Sequence, residues 1–217
     1  VLTRYLATEV PTLAVTGTDG KSTVTTLLAH LLRTAGHDAV AAGNLGNALC
    51  EMPADATPDT IAVAEVSCFQ LITTTRFRPR IALVTNLAED HLDHHGGMDA
   101  YVAAKARVVA NQAVGDVFVR NLDDPILRDW LRPDNDRMPG NGQRVLEVSQ
   151  RQPVKDGAFL RDRTFALAAG GVVTPVCDRE DLLLPGAHNT ENALLALAAA
   201  AAMGVPADAL ARGLATY

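Results

Sequence analysis

Val15-Thr16-Gly17-Thr18-Asp19-Gly20-Lys21-Ser22-Thr23 joins an apolar run, Thr12 to Thr16, to a segment whose Val24, Leu27, Leu28, Leu31 and Leu32 recur at helical spacing until Gly36. The spacing predicts a strand, a tight turn and an amphipathic helix. Gly17 and Gly20 carry no Cβ, so the turn can bend sharply and aim backbone N–H groups at an anion placed at the positive end of the helix dipole. Lys21 adds a mobile positive charge, and Ser22 offers a hydroxyl suited to a magnesium ion bridging phosphate oxygens. A standard Gly-x-x-x-x-Gly-Lys loop needs glycine at position 15, where this chain has Val15. The loop is therefore a shortened form of a triphosphate cradle.

Outward from that loop, apolar runs recur at Asp38 to Ala42, Thr60 to Ala64, Ile81 to Thr85 and Asp116 to Val119, several of them separated by enough chain for a crossover helix. The alternation predicts an α/β fold: a P-loop-type, mostly parallel sheet with helices on both faces. From about 145 to 184 the texture changes to short runs, Val145 to Val148, Ala158 to Leu160, Thr164 to Leu167 and Gly171 to Val173, which predict a small antiparallel β-sheet. The stretch Pro133 to Gly142 reads as a mobile connector to it. An alanine-rich helix is expected from Thr190 to Met203, and another from Ala207.

The bulk properties narrow the function classes. With 217 residues, 48% of them hydrophobic, the chain is long enough to bury a core as one domain. The 19 Lys and Arg against 25 Asp and Glu give a net charge of −6, which offers no general attraction to nucleic acid or to a membrane surface. Cys50, Cys68 and Cys177 form no Cys-x-x-Cys pair and suit reduced thiols. No charged leader with an apolar core opens the sequence at Val1 to Leu6, and the apolar stretch Ala193 to Val205 is shorter than the roughly 20 residues that span a bilayer. The cytoplasm is the expected compartment.

In parallel α/β sheets ligands collect beyond the carboxyl ends of the strands. Glu65 closes the run Ile61 to Ala64, where a carboxylate can hold magnesium. Asp90-His91-Leu92-Asp93-His94-His95 follows the strand ending near Asn86 and packs two acids and three imidazoles into six residues, a composition suited to metal or phosphate chemistry or to a polar surface turn. Lys105 lies within a stripe formed by Tyr101, Val102, Val108 and Val109 on a helix starting near Asp99. Its stem can snorkel outward, or its amine is desolvated and its pKa lowered. A free amine there can act on phosphate directly or take up carbon dioxide to become a carbamate.

Taken in order, five elements resemble those of the Mur ligases, and within them the branch that adds D-glutamate. They are Gly43-Asn44-Leu45-Gly46, Glu65-Val66-Ser67-Cys68-Phe69-Gln70-Leu71, Asp90-His91-Leu92-Asp93-x-His95-Gly96, Tyr101-x-x-Ala104-Lys105 and Gly186-x-His188-Asn189-x-x-Asn192-Ala193. The resemblance implies that ATP phosphorylates the terminal carboxylate of UDP-N-acetylmuramoyl-L-alanine and that the D-glutamate amine displaces phosphate. It implies that Gly17, Thr18, Asp19, Gly20, Lys21, Ser22 and Thr23 hold the triphosphate and that Asn189 and Asn192 contact adenine. By the same resemblance Ser22 and Glu65 serve one Mg2+, His91 and a carbamylated Lys105 serve a second, and Asn44, Ser67, Gln70 and His91 face the muramoyl substrate, with Lys21, His91 and Lys105 as the catalytic set. Asn189 could equally cap a helix.

Three positions depart from the family pattern: Asp19 stands where asparagine is usual, Cys68 where a second serine is usual and His94 where arginine is common. The resemblance further implies that residues 1–10 end an interdomain linker and that 11–217 form the central ATP-binding domain, without the N-terminal UDP-binding domain and the C-terminal domain. A sister ligase, a folylpolyglutamate synthetase and a non-catalytic nucleotide-binding module are the competing readings. A GTPase-type switch, suggested by Asn121-Leu122-Asp123-Asp124, lacks the lysine of Asn-Lys-x-Asp at Leu122.

Overall fold

The computed structural model describes residues 10–46, 48–49, 57, 59–130 and 141–217. The expected linker, except Val10, and most of the expected connector from Pro133 to Gly142 lie outside the described residues. The first strand, β1 (Thr12–Thr16), is buried throughout and runs through the glycine turn into α1 (Lys21–Thr34). β2 (Ala39–Gly43) and β3 (Ile61–Glu65) follow, then a single turn of helix, α2 (Cys68–Leu71), and β4 (Ile81–Val84). Short α3 (Leu92–His95) and α4 (Met98–Ala106) lead to β5 (Val117–Asn121) and β6 (Arg144–Ser149). β7 (Gly157–Arg161), β8 (Thr164–Ala169) and β9 (Val172–Asp178) precede α5 (Ala187–Ala202) and α6 (Ala207–Ala215).

All nine strands form one sheet in the order β2-β3-β1-β4-β5-β6-β7-β8-β9. Pairing is parallel from β2 through to β7, and antiparallel only where β8 meets β7 and β9. This corrects the position of the antiparallel part: it begins at β7, not near residue 145, and it extends the main sheet. The cause is topological. β6 follows β5 by a long connection, which permits parallel pairing, whereas Asp162 and Arg163 leave room only for a hairpin between β7 and β8.

Both sheet faces are covered. On one, Leu27, Leu28, Leu31 and Leu32 of α1 pack with the alanine-rich α5 and with Leu210 and Leu214 of α6 over Val15, Val63 and Leu83. Each such leucine contributes about 1.5–3 kcal/mol by leaving water. The alanines of α5 let that helix approach α1 and the sheet closely, and ten of its sixteen residues are buried. On the other face Leu71, Tyr101, Ala104 and Val108 pack over Ala14, Ala64, Val84 and Phe118. Val108 and Val109 join this core from beyond the end of α4, and Val102 is only partly buried, so the predicted stripe is helical as far as Ala106.

β1 is flanked by β3 and β4, so the carboxyl ends of these strands lie side by side. In register Val15 pairs with Glu65 and Thr16 with Val84. The glycine turn, Glu65 and the segment beginning at Thr85 therefore leave the sheet at one edge.

Candidate functional site

The glycine loop is shaped by its neighbours. Gly17 has φ +142°, and a Cβ there would stand 1.9 Å from Thr85 Oγ1; Gly20 has φ +77°, and its Cβ would stand 2.3 Å from Asn192 Oδ1. Both positions thus require glycine for conformation and for space. The exit of β4 fastens the loop: Thr18 N donates to Asn86 O (2.9 Å), Asp19 N to Asn86 Oδ1 (2.9 Å), and Thr85 Oγ1 donates to Asp19 O (2.6 Å). Gly20 caps α1 with no side-chain hydrogen bond, so no side chain competes with an anion for the amides of the first turn. Asp19 is exposed, its peptide groups pinned by Thr85 and Asn86.

Charged groups converge beneath and beside the loop. Lys21 Nζ folds back to donate to Thr18 O (2.5 Å). Glu65, 2% exposed, accepts from Ser22 Oγ through Oε2 (2.7 Å) and from Asn44 Nδ2 through Oε1 (3.0 Å). Lys105 is also 2% exposed, which excludes snorkelling; its Nζ donates to Gly17 O (2.6 Å) and lies 4.6 Å from the centre of the Tyr101 ring. Burial lowers the Lys105 pKa to about 8. The Tyr101 hydroxyl, its pKa raised by burial, shares a 3.0 Å hydrogen bond with Thr18 Oγ1.

A cavity of about 190 Å³ brings Gly17, Lys21, Asn44, Ser67, His91 and Lys105 together, with Cys68, Phe69, Asp90 and Tyr101 completing its wall. His91 holds a left-handed backbone (φ 52°) and lies with Nε2 3.4 Å from Asp90 Oδ2. The Phe69 ring touches His91, His94 and His95, with centroids 5.1, 4.7 and 5.7 Å away. Burial and the neighbouring His94, His91 and Lys105 hold the His95 pKa below the usual imidazole value. Ser67 and Gln70 engage each other in a capping box over α2: Ser67 N donates to Gln70 Oε1 (2.9 Å) and Gln70 N to Ser67 Oγ (3.3 Å). Ser67 still faces the cavity, whereas Gln70 is absent from its wall.

On the other side of the loop a larger cavity, about 560 Å³, is lined by Asp19, Gly20 and Thr23, by Asn86, and by Leu184, His188, Asn189, Glu191, Asn192 and Tyr217. Asn189 is the third residue of α5, whose cap is Gly186, so the capping alternative does not hold; its Nδ2 donates to Pro185 O (2.7 Å). Asn192 is buried and donates through Nδ2 to Asn189 Oδ1 (3.2 Å). The Asn121 to Asp124 segment is taken up by structural bonds: Asn121 Nδ2 donates to Thr85 O (3.3 Å), and Asp123 accepts from Ser149 Oγ and Gln150 N.

As an oxygen donor set with one charge, Ser22 and Glu65 fit magnesium. His91 and Lys105 share a cavity, and Lys105, as an amine donating to Gly17 O, becomes an oxygen ligand only once carbamylated. Among the described residues no cluster of three or more His, Cys, Asp or Glu forms a metal site complete in protein ligands. Any ion here would thus complete its shell with phosphate or water. Sequence reasoning missed Thr85, Asn86, Glu191 and Tyr217. Asn86 follows an apolar strand just as Glu65 ends one, and the same rule would have found it.

A strand-turn-helix anion cradle, fed by two lysines at the carboxyl edge of a parallel sheet, defines a nucleotide-triphosphate-binding α/β domain. The Mur ligase middle domain profile matches residues 15–200, and the chain belongs to that family. It is 42% identical, over 95% of its length, to the UDP-N-acetylmuramoylalanine--D-glutamate ligase of Pelotomaculum thermopropionicum, of which it covers 44%. It is 41% identical, over 98% of its length, to the ligase of the same name from Latilactobacillus sakei, of which it covers 45%. The chain thus spans a little under half the length of these relatives. Among solved structures, a UDP-N-acetylmuramoyl-L-alanyl-D-glutamate--2,6-diaminopimelate ligase superimposes with a TM-score of 0.73 at 26% identity, covering 98% of this chain and 47% of that one. No helix among the described residues is long and apolar enough to cross a membrane.

Proposed function

We propose that this chain is the central ATP-binding domain of a cytoplasmic ligase that joins D-glutamate to UDP-N-acetylmuramoyl-L-alanine in the synthesis of peptidoglycan precursors. The observation that carries the reading is the cavity in which the glycine loop, Lys21 and Lys105 meet Asn44, Ser67 and His91, since it sets a phosphate cradle against a pocket for an acceptor. The identity to D-glutamate ligases over nearly the whole chain supports the choice of amino acid.

In this reading Gly17 to Thr23 wrap the triphosphate, and Lys21 leaves Thr18 O to neutralise the outer phosphates. The larger cavity takes the nucleoside, against Asn189 and Asn192. The terminal carboxylate of the acceptor enters the smaller cavity, oriented by His91, Asn44 and Ser67, with Gln70 fixing Ser67 from behind. The carboxylate oxygen attacks the γ-phosphorus and ADP leaves. The D-glutamate amine then attacks the acyl carbon, and phosphate departs as the amide forms. Transfer of this kind depends on positioning and on neutralising charge. Mg2+ would supply charge neutralisation to the transfer; Ser22 and Glu65 would hold it at one site, His91 and carbamylated Lys105 at a second.

The N-terminal UDP-binding and C-terminal domains complete the enzyme, and residues 11–217 alone do not carry out ligation. The test is phosphate release by the full-length protein with D-glutamate, L-alanine, diaminopimelate or folate acceptors. Release that depends on D-glutamate and UDP-N-acetylmuramoyl-L-alanine is expected. Equal release with another amino acid, or amide product from residues 11–217 at the full-length rate, would overturn the respective part. A manganese-substituted anomalous map should show metal beside Ser22 and Glu65 and beside His91 and Lys105.

A further inference from the structure

The chain just beyond Lys105 grips the loop that carries one wall of the smaller cavity. Arg107 caps α4, and its Nε donates to Leu71 O (2.9 Å) while Nη2 donates to Thr74 O. Farther on, Asn111 Nδ2 donates to Thr75 O (3.2 Å) and Phe77 O (3.0 Å), and Gln112 Nε2 to Pro79 O (3.1 Å). Three side chains from one short segment thus hold the backbone carbonyls that run from α2 to β4. Of the three, only Arg107 bonds to α2 itself, whose last residue is Leu71.

α2 is a single turn, so its two ends cannot move independently. Ser67 caps its start and lines the smaller cavity together with Cys68 and Phe69, and the Phe69 ring touches His91. A shift at Leu71 is therefore a shift of that wall. Leu71 and Ala104 share the apolar core between α2 and α4, but apolar contact has no direction and tolerates sliding. A planar guanidinium bonded to two carbonyls fixes direction as well as distance. Nor is Arg107 needed to satisfy Leu71 O, which also accepts from Thr74 N (3.0 Å) and Thr74 Oγ1 (2.8 Å). Arg107 lines neither cavity, so any effect it has on ligands passes through α2. We propose that Arg107 is a positioning residue for the acceptor: it locks α2, and with it Ser67 and Phe69, to the helix that bears Lys105. The proposal rests on the acceptor reading of the smaller cavity.

The experiment measures kcat and KM for UDP-N-acetylmuramoyl-L-alanine and Kd for ATP in the full-length ligase. Arg107→Met keeps an apolar stem and removes the fork. It should lower kcat/KM for the acceptor by about tenfold to a hundredfold, as small misplacements of a reacting group do, and leave the ATP Kd within about twofold. Arg107→Lys, which can serve one carbonyl at a time, should recover part of the loss. Asn111→Ala loosens only the far part of the loop; it should lower the melting temperature and leave acceptor kcat/KM within about twofold. Combined with Ser67→Ala, the Arg107→Met loss should be smaller than the product of the two single losses, because both act through one contact. Equal weakening of ATP and acceptor, an equal acceptor loss from Asn111→Ala, or fully multiplicative losses with Ser67→Ala would each overturn the proposal and leave the acceptor reading intact. Should Arg107→Met not fold, Arg107→Lys carries the same comparisons. Wild-type enzyme that does not saturate with UDP-N-acetylmuramoyl-L-alanine would remove the acceptor reading itself, and the proposal with it.

Discussion

Two cavities flank one glycine loop, and they are built from opposite materials. The smaller, about 190 Å³, is bounded by Lys21, Lys105 and His91, with the buried Glu65 carboxylate behind Ser22 and Asn44. The larger, about 560 Å³, is lined by three asparagine amides and the His188 and Tyr217 rings, with two carboxylates, the exposed Asp19 and the partly buried Glu191. A buried charge costs several kcal/mol unless something offsets it, so a protein keeps such groups where charge moves during a reaction. Amides recognise a neutral base at far lower cost. The division predicts that substitutions in the smaller cavity lower kcat, and that those in the larger one raise the KM for ATP.

The largest effect should come from Lys21→Ala. In the proposed mechanism Lys21 neutralises the outer phosphates, so its loss is expected to lower the kcat of the full-length ligase by about a thousandfold, with the melting temperature little changed because the Nζ contact to Thr18 O is local. A comparable rise in KM with kcat unchanged would erase the distinction between the cavities. Next, Glu65→Gln keeps the Ser22 and Asn44 contacts sterically possible but removes the negative charge. Phosphate release should fall by about a hundredfold and need more Mg2+ for half-saturation, by analogy with the loss of one electrostatic group from a preorganised site.

These contrasts also explain which parts of the molecule could be read from sequence. The loop, Glu65 and Lys105 announce themselves because each breaks a local pattern: glycines between a strand and a helix, a carboxylate ending an apolar run, a lysine in an apolar stripe. The parallel order of β1 to β5 follows from the same alternation. The joining of β6 to β9 to the main sheet does not, since short β-like runs carry no mark of which edge they extend. Ser67 and Gln70 read as ligand contacts, yet they also form a helix cap, because a polar pair three residues apart serves either end. The larger cavity was least legible. Asn86, Glu191 and Tyr217 come from the segment after β4, from α5 and from the chain after α6, and only the fold brings them together.

In the larger cavity Asn192→Ala should raise the KM for ATP by about tenfold and change kcat little, since the contact proposed for it would be made equally in the ground and transition states. It would also leave Asn189 Oδ1 without its 3.2 Å donor and open space beside Gly20. A stability loss of about 1 kcal/mol, read by denaturant melting, is the expected companion. If kcat fell as steeply as with Lys21→Ala, the amide-lined side would be catalytic too and the division would fail.

The finest test concerns Lys105, because its environment decides whether it is a cation or a nucleophile. With a pKa of about 8 in place of 10.5, roughly a tenth of the amine is free at pH 7, against a few parts in ten thousand for an exposed lysine. Carbamylation needs that free amine, so desolvation of Lys105 raises the reactive fraction by about two orders of magnitude. Full-length enzyme stripped of carbon dioxide should regain activity several-fold on adding bicarbonate at pH 8, and much less at pH 6, where the amine is protonated. A carbamate resonance from carbon-13-labelled bicarbonate should appear in parallel and be absent from Lys105→Arg. The same shift has a signature in stability. The folded state sheds the Lys105 proton near pH 8 and the unfolded state near 10.5, so between these values the unfolded chain binds more protons and stability rises with pH. Wild-type protein should therefore gain on Lys105→Met through that window and not below it. A difference between the two that stays flat from pH 8 to 10.5 would mean that the buried amine keeps its ordinary pKa, and the contrast between the lysine-bearing cavity and the amide-bearing one would lose its strongest member.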